Sequence, residues 1–337
     1  MKSEECLISV VLPTYNVAQY LQQCLESIAA QTYQHIEVII IIDGATDGSY
    51  EIAQDFCKQD ARFSVYWQEN AGSGPARNAG LAHCQGDLVM FVDPDDWIEP
   101  ELLEKLYNAQ CEGNYDLVAS ERTVALCDKN GEIVRIAPKH YKSETIVDQQ
   151  KVRHAFMRML EMLVVSNPTQ KLYKMALIRE YNIQFPDLRR SQDIVFNYRY
   201  YNLISSLRLI DYSGYNYRKD LHASIGKIEP DYYKTIVLLY NDYRSLYQTW
   251  SLPFPEEKMS EWFFSVRVYS YLQKMAGRKQ DFTEAVENPI IRRITQSAQP
   301  KAFYLRLTKR LVISKSYKML RLFLTIVIKV KQNYIHH

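Results

Sequence analysis

The stretch LVMFVDPDDWIEP, Leu88 to Pro100, sets three carboxylates, Asp93, Asp95 and Asp96, directly after five apolar residues. Like charges this close repel, and placing them at the end of a buried strand costs energy unless something positive offsets it. Hard oxygen ligands one residue apart, as on Asp93 and Asp95, suit Mg2+ or Mn2+. A cation held by two carboxylates keeps positions open for water and for phosphate oxygens. That chemistry points to a diphosphate-bearing substrate rather than to a closed structural metal site. The plain alternative is an acidic loop that is simply wet. Two other ways of holding phosphate are testable in the sequence. No GxxxxGK[ST] loop is present. Gly72-Ser73-Gly74 begins like a dinucleotide-binding turn, but Arg77 stands where its third glycine belongs. A phosphate would therefore be held mainly through metal.

The elements around the acids give them a place. Leu7 to Leu12, apolar but for Ser9, and Val38 to Ile42 are continuous, β-branched runs, the pattern of parallel strands buried on both faces. Ser64 to Trp67 and Val89 to Val92 read as further strands. Helical spacing fills the intervals: Val17 to Ala30, with Asn16 as a cap, then Asp47 to Cys57, Pro75 to His83 and Glu101 to Cys111. Alternation of this kind predicts a doubly wound α/β sheet, whose ligands bind outside the carboxyl ends of the strands. Thr14, Asp43 and Asp93 to Asp96 each follow such an end, so three polar clusters should meet in one crevice. Downstream, Leu117 to Ser120 reads as a strand, and Val124 to Ile136 as a hairpin turning at Asp128-Lys129-Asn130-Gly131. Gln149 to Val164, Thr169 to Tyr181 and Asp193 to Leu203 read as helices, and Leu207 to Ile210 and Tyr212 to Tyr217 as strands. Past Pro230 the pattern is helical, broken at Pro253, Pro255, Pro289 and Pro300.

Seven stretches, in order, carry a resemblance: ISVVLPTYN (Ile8 to Asn16), IIDGATDGS (Ile41 to Ser49), QENAGSGPARNAGL (Gln68 to Leu81), FVDPDDWIEP (Phe91 to Pro100), KLYKMALI (Lys171 to Ile178), QDIVF (Gln192 to Phe196) and YNYRKDLHASI (Tyr215 to Ile225). Together they span about residues 7 to 225, and the chain resembles a family 2 glycosyltransferase of GT-A fold. The resemblance implies a Rossmann-like mixed sheet flanked by helices over residues 1–225, and the helical pattern beyond it sets off a C-terminal region over 226–337 ending in a basic amphipathic tail. It implies an inverting enzyme that moves a sugar from a nucleotide diphosphate sugar, most often a UDP-sugar in this family, to a glycan or lipid-linked acceptor. Thr14, Asp43 and Arg77 would then serve the nucleotide, Asp93 the ribose side of the donor, and Asp95, with Asp93, the Mn2+ or Mg2+ ion. Asp96 would orient the loop. Asp193 matches the catalytic base, although Gln192 stands where the family usually has Glu. On its own, Asp193 is equally an acidic residue favouring a helix N-terminus. His222 lies near a position where some relatives have a metal-binding histidine, and is otherwise a loop residue. Trp97 would wall the acceptor sugar or fill the rim.

Composition narrows the function. Charged residues make up 24% of the 337-residue chain, and the formal net charge of +2 is unevenly spread. From Asn288 onward there are eleven Lys and Arg and no Asp or Glu, so the body before it is net acidic. An acidic body with a basic tail suggests targeting to an anionic surface. Nucleic acid is disfavoured because no recognition motif accompanies the charge. The longest apolar-plus-Thr run of the tail, Leu322 to Ile328, is far too short to span a bilayer, so the tail reads as lying on a membrane or docking on protein. The six cysteines form no CxxC pair, which argues against zinc and for reduced thiols. These features predict a cytoplasmic enzyme, peripheral at the inner face of the cell membrane. The 26 tyrosines suit either sugar stacking or half-wet core positions. Competing readings fail on particular residues. A DxDxT phosphatase needs Thr where Trp97 stands, and a pyrophosphorylase needs an early glycine-rich loop. A non-catalytic sugar-nucleotide or glycan-binding protein on the same scaffold stays open because of Gln192.

Overall fold

The computed structural model describes residues 6–128, 132–138, 142–220 and 229–335. The chain divides into two compact units, residues 1–222 and 223–337.

The first unit is built on an eight-stranded mixed sheet among the described residues. Its strands are β1 (Ile8–Thr14), β2 (Ile36–Asp43), β3 (Phe63–Gln68), β4 (Leu88–Phe91), β6 (Leu117–Ala119), β9 (Glu144–Val147), β10 (Lys171–Lys174) and β11 (Ser206–Leu209). Their order is β3-β2-β1-β4-β10-β6-β11-β9. The first four are mutually parallel, with Val10 opposite Val38 and Met90. β10 then runs antiparallel to both β4 and β6. A second sheet of four strands joins β5 (Trp97–Ile98), β12 (Tyr215–Asp220), β7 (Arg122–Cys127) and β8 (Ile133–Pro138).

All seven residues of β1 are buried, as a strand covered on both faces must be. On one face lies α1 (Ala18–Ala29), which inserts Leu21, Cys24, Leu25 and Ile28 against Val10, Leu12 and Val38. Each such apolar side chain contributes roughly 1.5–3 kcal/mol by burial. On the other face lies α3 (Ser73–His83), and its Gly80 lets helix and strand close on each other. A Cβ on Gly80 would lie 2.4 Å from Val11 Cγ1. The remaining helices are α2 (Ser49–Gln59), α4 (Leu102–Gly113), α5 (Gln149–Glu161), α6 (Met175–Glu180) and α7 (Gln192–Leu203).

Two local expectations give way, and two strands come unannounced. Thr169 to Tyr181 is not one helix: its first part is the central strand β10, followed by the short α6. Pairing with β4 and β6 overrides the local helical spacing there. The short strands β5 and β9 had no apolar run to announce them. Asn16 does not cap α1. It adopts φ 48°, and its Oδ1 accepts from the Thr46 amide at 2.8 Å. The α1 terminus is capped from across the chain instead, by Asp47, whose Oδ2 accepts from the Ala18 amide at 2.9 Å. The predicted hairpin is present as the antiparallel pair β7 and β8, and its turn at 129–131 lies outside the described residues. All six cysteines are free: Cys24, Cys84 and Cys127 are buried, Cys6 and Cys57 partly so, and Cys111 is exposed. Seven tyrosines, Tyr173, Tyr200, Tyr201, Tyr215, Tyr240, Tyr243 and Tyr271, are among the largest fully buried side chains, so packing absorbs many of them.

The second unit is helical: α8 (Tyr232–Thr249), α9 (Glu256–Trp262), a π-helical turn at Phe263–Val268, α10 (Tyr269–Gly277), α11 (Thr283–Glu287), α12 (Pro289–Ser297), α13 (Phe303–Ile313) and α14 (Tyr317–Ile335). The predicted proline breaks fall between or at the starts of helices. Pro289 occupies the first turn of α12, where its missing N–H costs nothing, and Asn288 Oδ1 caps the Ile290 amide at 3.0 Å.

Candidate active site

The carboxyl ends of β1, β2 and β4 lie side by side, because these strands are parallel neighbours. Past β1 and β2 opens a cavity of about 260 Å³ lined by Pro13, Tyr15, Asp43, Asn70, Gly72, Ser73 and Ala76. Its floor is the start of α3. Gly72 precedes that helix with φ 94°, a left-handed value that disfavours any side chain. The helix start leaves N–H groups without intrahelical partners, a favourable place for an anion.

Asp43 sits on the cavity wall but is already engaged. Its Oδ1 accepts from Gln68 Nε2 at 2.7 Å and from the Ala71 amide at 2.8 Å, and its Oδ2 from the Gly72 amide at 2.8 Å. Asn70 Nδ2 donates to the Asp43 carbonyl at 3.0 Å. The side chain thereby fixes the turn that opens α3, and Oδ2 keeps a second acceptor position. Thr14 is fully buried, and its hydroxyl turns back to the Leu12 carbonyl at 3.4 Å. Neither Thr14 nor Arg77 lines the cavity. Arg77 is buried instead beneath the acidic loop, where Nη2 donates to Asp93 Oδ1 at 2.7 Å and the guanidinium lies 5.4 Å from the Phe185 ring centre.

The acidic loop shows three different carboxylates. Asp93 is paired to Arg77 through one oxygen. Asp96 is buried; Oδ2 accepts from the Tyr215 hydroxyl and Oδ1 from the Arg218 amide, both at 2.7 Å. Burial, then the Asp93 and Asp95 charges, push Asp96 well above the usual carboxylate range. Asp95 is half-buried, and apart from its own backbone amide no described donor reaches its carboxylate. Burial first and the Asp93 charge second push it up to about 6. A carboxylate raised this way and left without a partner fits a site completed by a cation. No three His, Cys, Asp or Glu side chains among the described residues form a metal cluster by themselves, so any cation here would depend on substrate or water oxygens as well. His222 lies outside the described residues.

Asp193 stands in the first turn of α7, half-buried, with Oδ1 accepting from the Ile194 amide at 2.9 Å. Gln192 beside it ties this helix to the cavity: its Nε2 donates to Ser73 Oγ at 2.6 Å. Gly74 makes the approach possible, since a Cβ there would lie 3.2 Å from Gln192 Cγ. Asp193 thus stands next in sequence to the residue that joins the start of α7 to the start of α3.

Sequence reasoning missed Tyr15, Lys171 and Arg218. Tyr15 lines the cavity and is half-exposed, a sign unreadable without the fold. Lys171 is wholly buried on β10, with Nζ donating to the Asn167 and Thr169 carbonyls at 2.6 and 3.1 Å. Burial pushes it down to about 7 and Arg122 adds to that, while the charges of Asp193 and Glu121 act in the opposite sense. No local signal marked it, since Lys171 follows Thr169 and Gln170 and shares a four-residue strand with Lys174. Arg218 clamps the acidic loop: Nε donates to the Asp95 carbonyl at 2.9 Å and the guanidinium lies between the Tyr20 and Trp97 rings, 4.5 and 4.8 Å from their centres. Trp97 accordingly packs on Arg218.

A mixed sheet with helices on both faces, and acids after the carboxyl end of β4, are the features of a GT-A fold. Comparison with known proteins agrees. The glycosyl transferase family 2 model matches residues 9–164. Glycosyltransferase GlyG of Streptococcus pneumoniae is 34% identical over 215 residues, covering 63% of this chain and 71% of GlyG. Among solved structures, Staphylococcus aureus TarS 1–349 in complex with UDP-GlcNAc superimposes with a TM-score of 0.62 at 21% identity, covering 96% of this chain and 91% of that one. A mannosyltransferase of Pyrobaculum calidifontis in complex with GDP-Man and Mn2+ gives 0.53 at 14% identity, covering 98% and 87%. The chain belongs to glycosyl transferase family 2.

Proposed function

We propose that this glycosyltransferase acts with inversion, moving a hexosyl-type sugar from a UDP-sugar to a hydroxyl of a glycan or lipid-linked oligosaccharide in cell-surface polysaccharide synthesis, on the cytoplasmic side. The observation that carries the reading is the Asp95 carboxylate, without a described partner beyond its own amide and raised to about 6, after the end of β4, the parallel neighbour of β1. Names of similar proteins support the donor class: TarS is seen with UDP-GlcNAc and the mannosyltransferase with GDP-Man and Mn2+.

The nucleotide occupies the cavity, with Asp43 presenting its remaining acceptor position to the base and the α3 terminus facing the phosphates. Asp95, with the second oxygen of Asp93, would hold Mn2+ or Mg2+, whose chemistry there is to neutralise charge on the departing diphosphate. Arg77 fixes Asp93 through its other oxygen and so keeps the loop in register. Asp193 takes the acceptor hydroxyl proton as that oxygen bonds to the anomeric carbon. The bond from that carbon to the diphosphate breaks on the opposite side, its electron pair leaves with the phosphate, and configuration inverts. Gln192 holds base and donor cavity at fixed separation through Ser73.

Asp193→Asn tests the assignment. Donor affinity should persist while turnover falls about 10²- to 10⁴-fold. Near wild-type transfer by that variant would remove Asp193 as the base. The non-catalytic alternative rests on Gln192, and sugar transfer by the unaltered chain with Mn2+ present would dismiss it.

A further inference from the structure

Among the described residues no helix is long and apolar enough to cross a membrane. The last helix nevertheless spends apolar residues on solvent. α14 has two faces. Leu320 and Leu324 are fully buried, and Ile328 Cδ1 lies 3.2 Å from where a Cβ on Gly277 of α10 would stand, so the inner face is docked on α10. Met319, Leu322, Ile326 and Val330 recur three or four residues apart on the outer side, exposed by 64%, 64%, 51% and 49%. A helix that only stabilised its own unit would carry polar residues there.

The charges beside that stripe are of one sign. Lys318 and Lys329 are exposed on α14, and Arg306 and Arg310 are exposed on α13 next to Phe303 and Ile313, which are 69% and 41% exposed. None of these four cations has an acidic partner among the described residues, and the sequence holds no acid from Asn288 onward. By contrast Lys315 and Arg321 are occupied within the unit, by Glu287 and by the Gln280 carbonyl. The unit thus pairs Lys315 and Arg321 and leaves unpaired Lys318 and Lys329, which flank the α14 stripe, and Arg306 and Arg310, which stand by the exposed Phe303 and Ile313 of α13.

We infer that the outer faces of α13 and α14 dock on an anionic lipid bilayer, with α14 lying in the plane of the interface. Met319, Leu322, Ile326 and Val330 enter the acyl boundary, and Lys318, Lys329, Arg306 and Arg310 meet the headgroup phosphates. A stripe of large aliphatics with cations along its border is the pattern of an interfacial helix. This extends the sequence-level choice between membrane and protein docking: the inner face of the helix takes the protein contact, and the outer face is left for lipid.

The test uses the full chain and vesicle flotation. Wild type should float with phosphatidylcholine vesicles containing phosphatidylglycerol, much less with phosphatidylcholine alone, and should be released by high salt. Leu322→Ser with Ile326→Ser should weaken flotation at least about tenfold. Lys318→Glu with Lys329→Glu should abolish the preference for phosphatidylglycerol. Both variants change exposed positions, so unchanged melting temperature and unchanged nucleotide binding certify the fold and keep this test separate from that of sugar transfer. Failure of wild type to float with phosphatidylglycerol vesicles overturns the inference, as does equal flotation of the Ser variant. A dimer that these substitutions dissociate, without lipid binding by wild type, would overturn it in favour of a second copy of the chain.

Discussion

Two acidic strand ends, two strands apart in one sheet, meet opposite conditions. At the end of β2, Asp43 receives three hydrogen bonds from its own chain, which builds a turn. At the end of β4, Asp96 is equally satisfied, but Asp95 is surrounded by burial and negative charge and receives nothing comparable. The residue type is the same and the sequence context similarly apolar. What separates the two is the supply of internal donors: a satisfied acid stabilises the fold, and an unsatisfied one keeps its oxygens available.

Substitutions can break this contrast. Between these two acids, the larger effect should come from Asp95→Asn. Turnover should fall about 10²- to 10³-fold as transition-state charge loses its counterpart, and Mn2+ titration of the protein with UDP should lose its tight phase. Metal-free thermal stability should hold or rise, because an amide ends the repulsion with Asp93. Unchanged Mn2+ affinity in this variant would merge the two edges into one kind. Asp43→Ala should do the reverse, costing roughly 2–4 kcal/mol in urea denaturation because the Gln68, Ala71 and Gly72 donors lose their acceptor together. A normal unfolding midpoint with lost nucleotide binding would instead make Asp43 purely a ligand contact.

The smallest effect sharpens the comparison by pH. The Asp95 carboxyl is raised to about 6 in the folded chain, so the folded state binds its proton more tightly than the unfolded state does. Its contribution is therefore fully present below the unfolded value, about 4, and is lost as pH rises through about 6. The melting temperatures of metal-free wild type and Asp95→Asn should diverge by a few degrees over that window, with wild type falling behind. Mn2+ with UDP should close the gap. A gap that is constant across the window would assign the raised value to another group.

Much of this was legible along the chain. β1, β2 and β4 announced themselves as predominantly apolar runs because strands covered on both faces need no polar alternation. The polar clusters after them followed from the same reading. β10 was illegible: Lys171 to Lys174 has two lysines in four residues, and its central place comes only from pairing with strands distant in sequence. Asp47 as the cap of α1 was hidden for the same reason, since its partner amide lies 29 positions away. The sites of Arg77 and Arg218 were visible as residues inside motifs, but not their partners.

The order of apolar runs and polar ends along this chain determined the sheet, its carboxyl edge and the acids that stand there, because burial periodicity is a local property. Only the tertiary structure decided which acid is satisfied, which helix start faces the cavity and which side of the last helix is left to solvent. Those outcomes depend on donors and apolar surfaces contributed by residues far apart in sequence, and their distances exist only once the chain has folded.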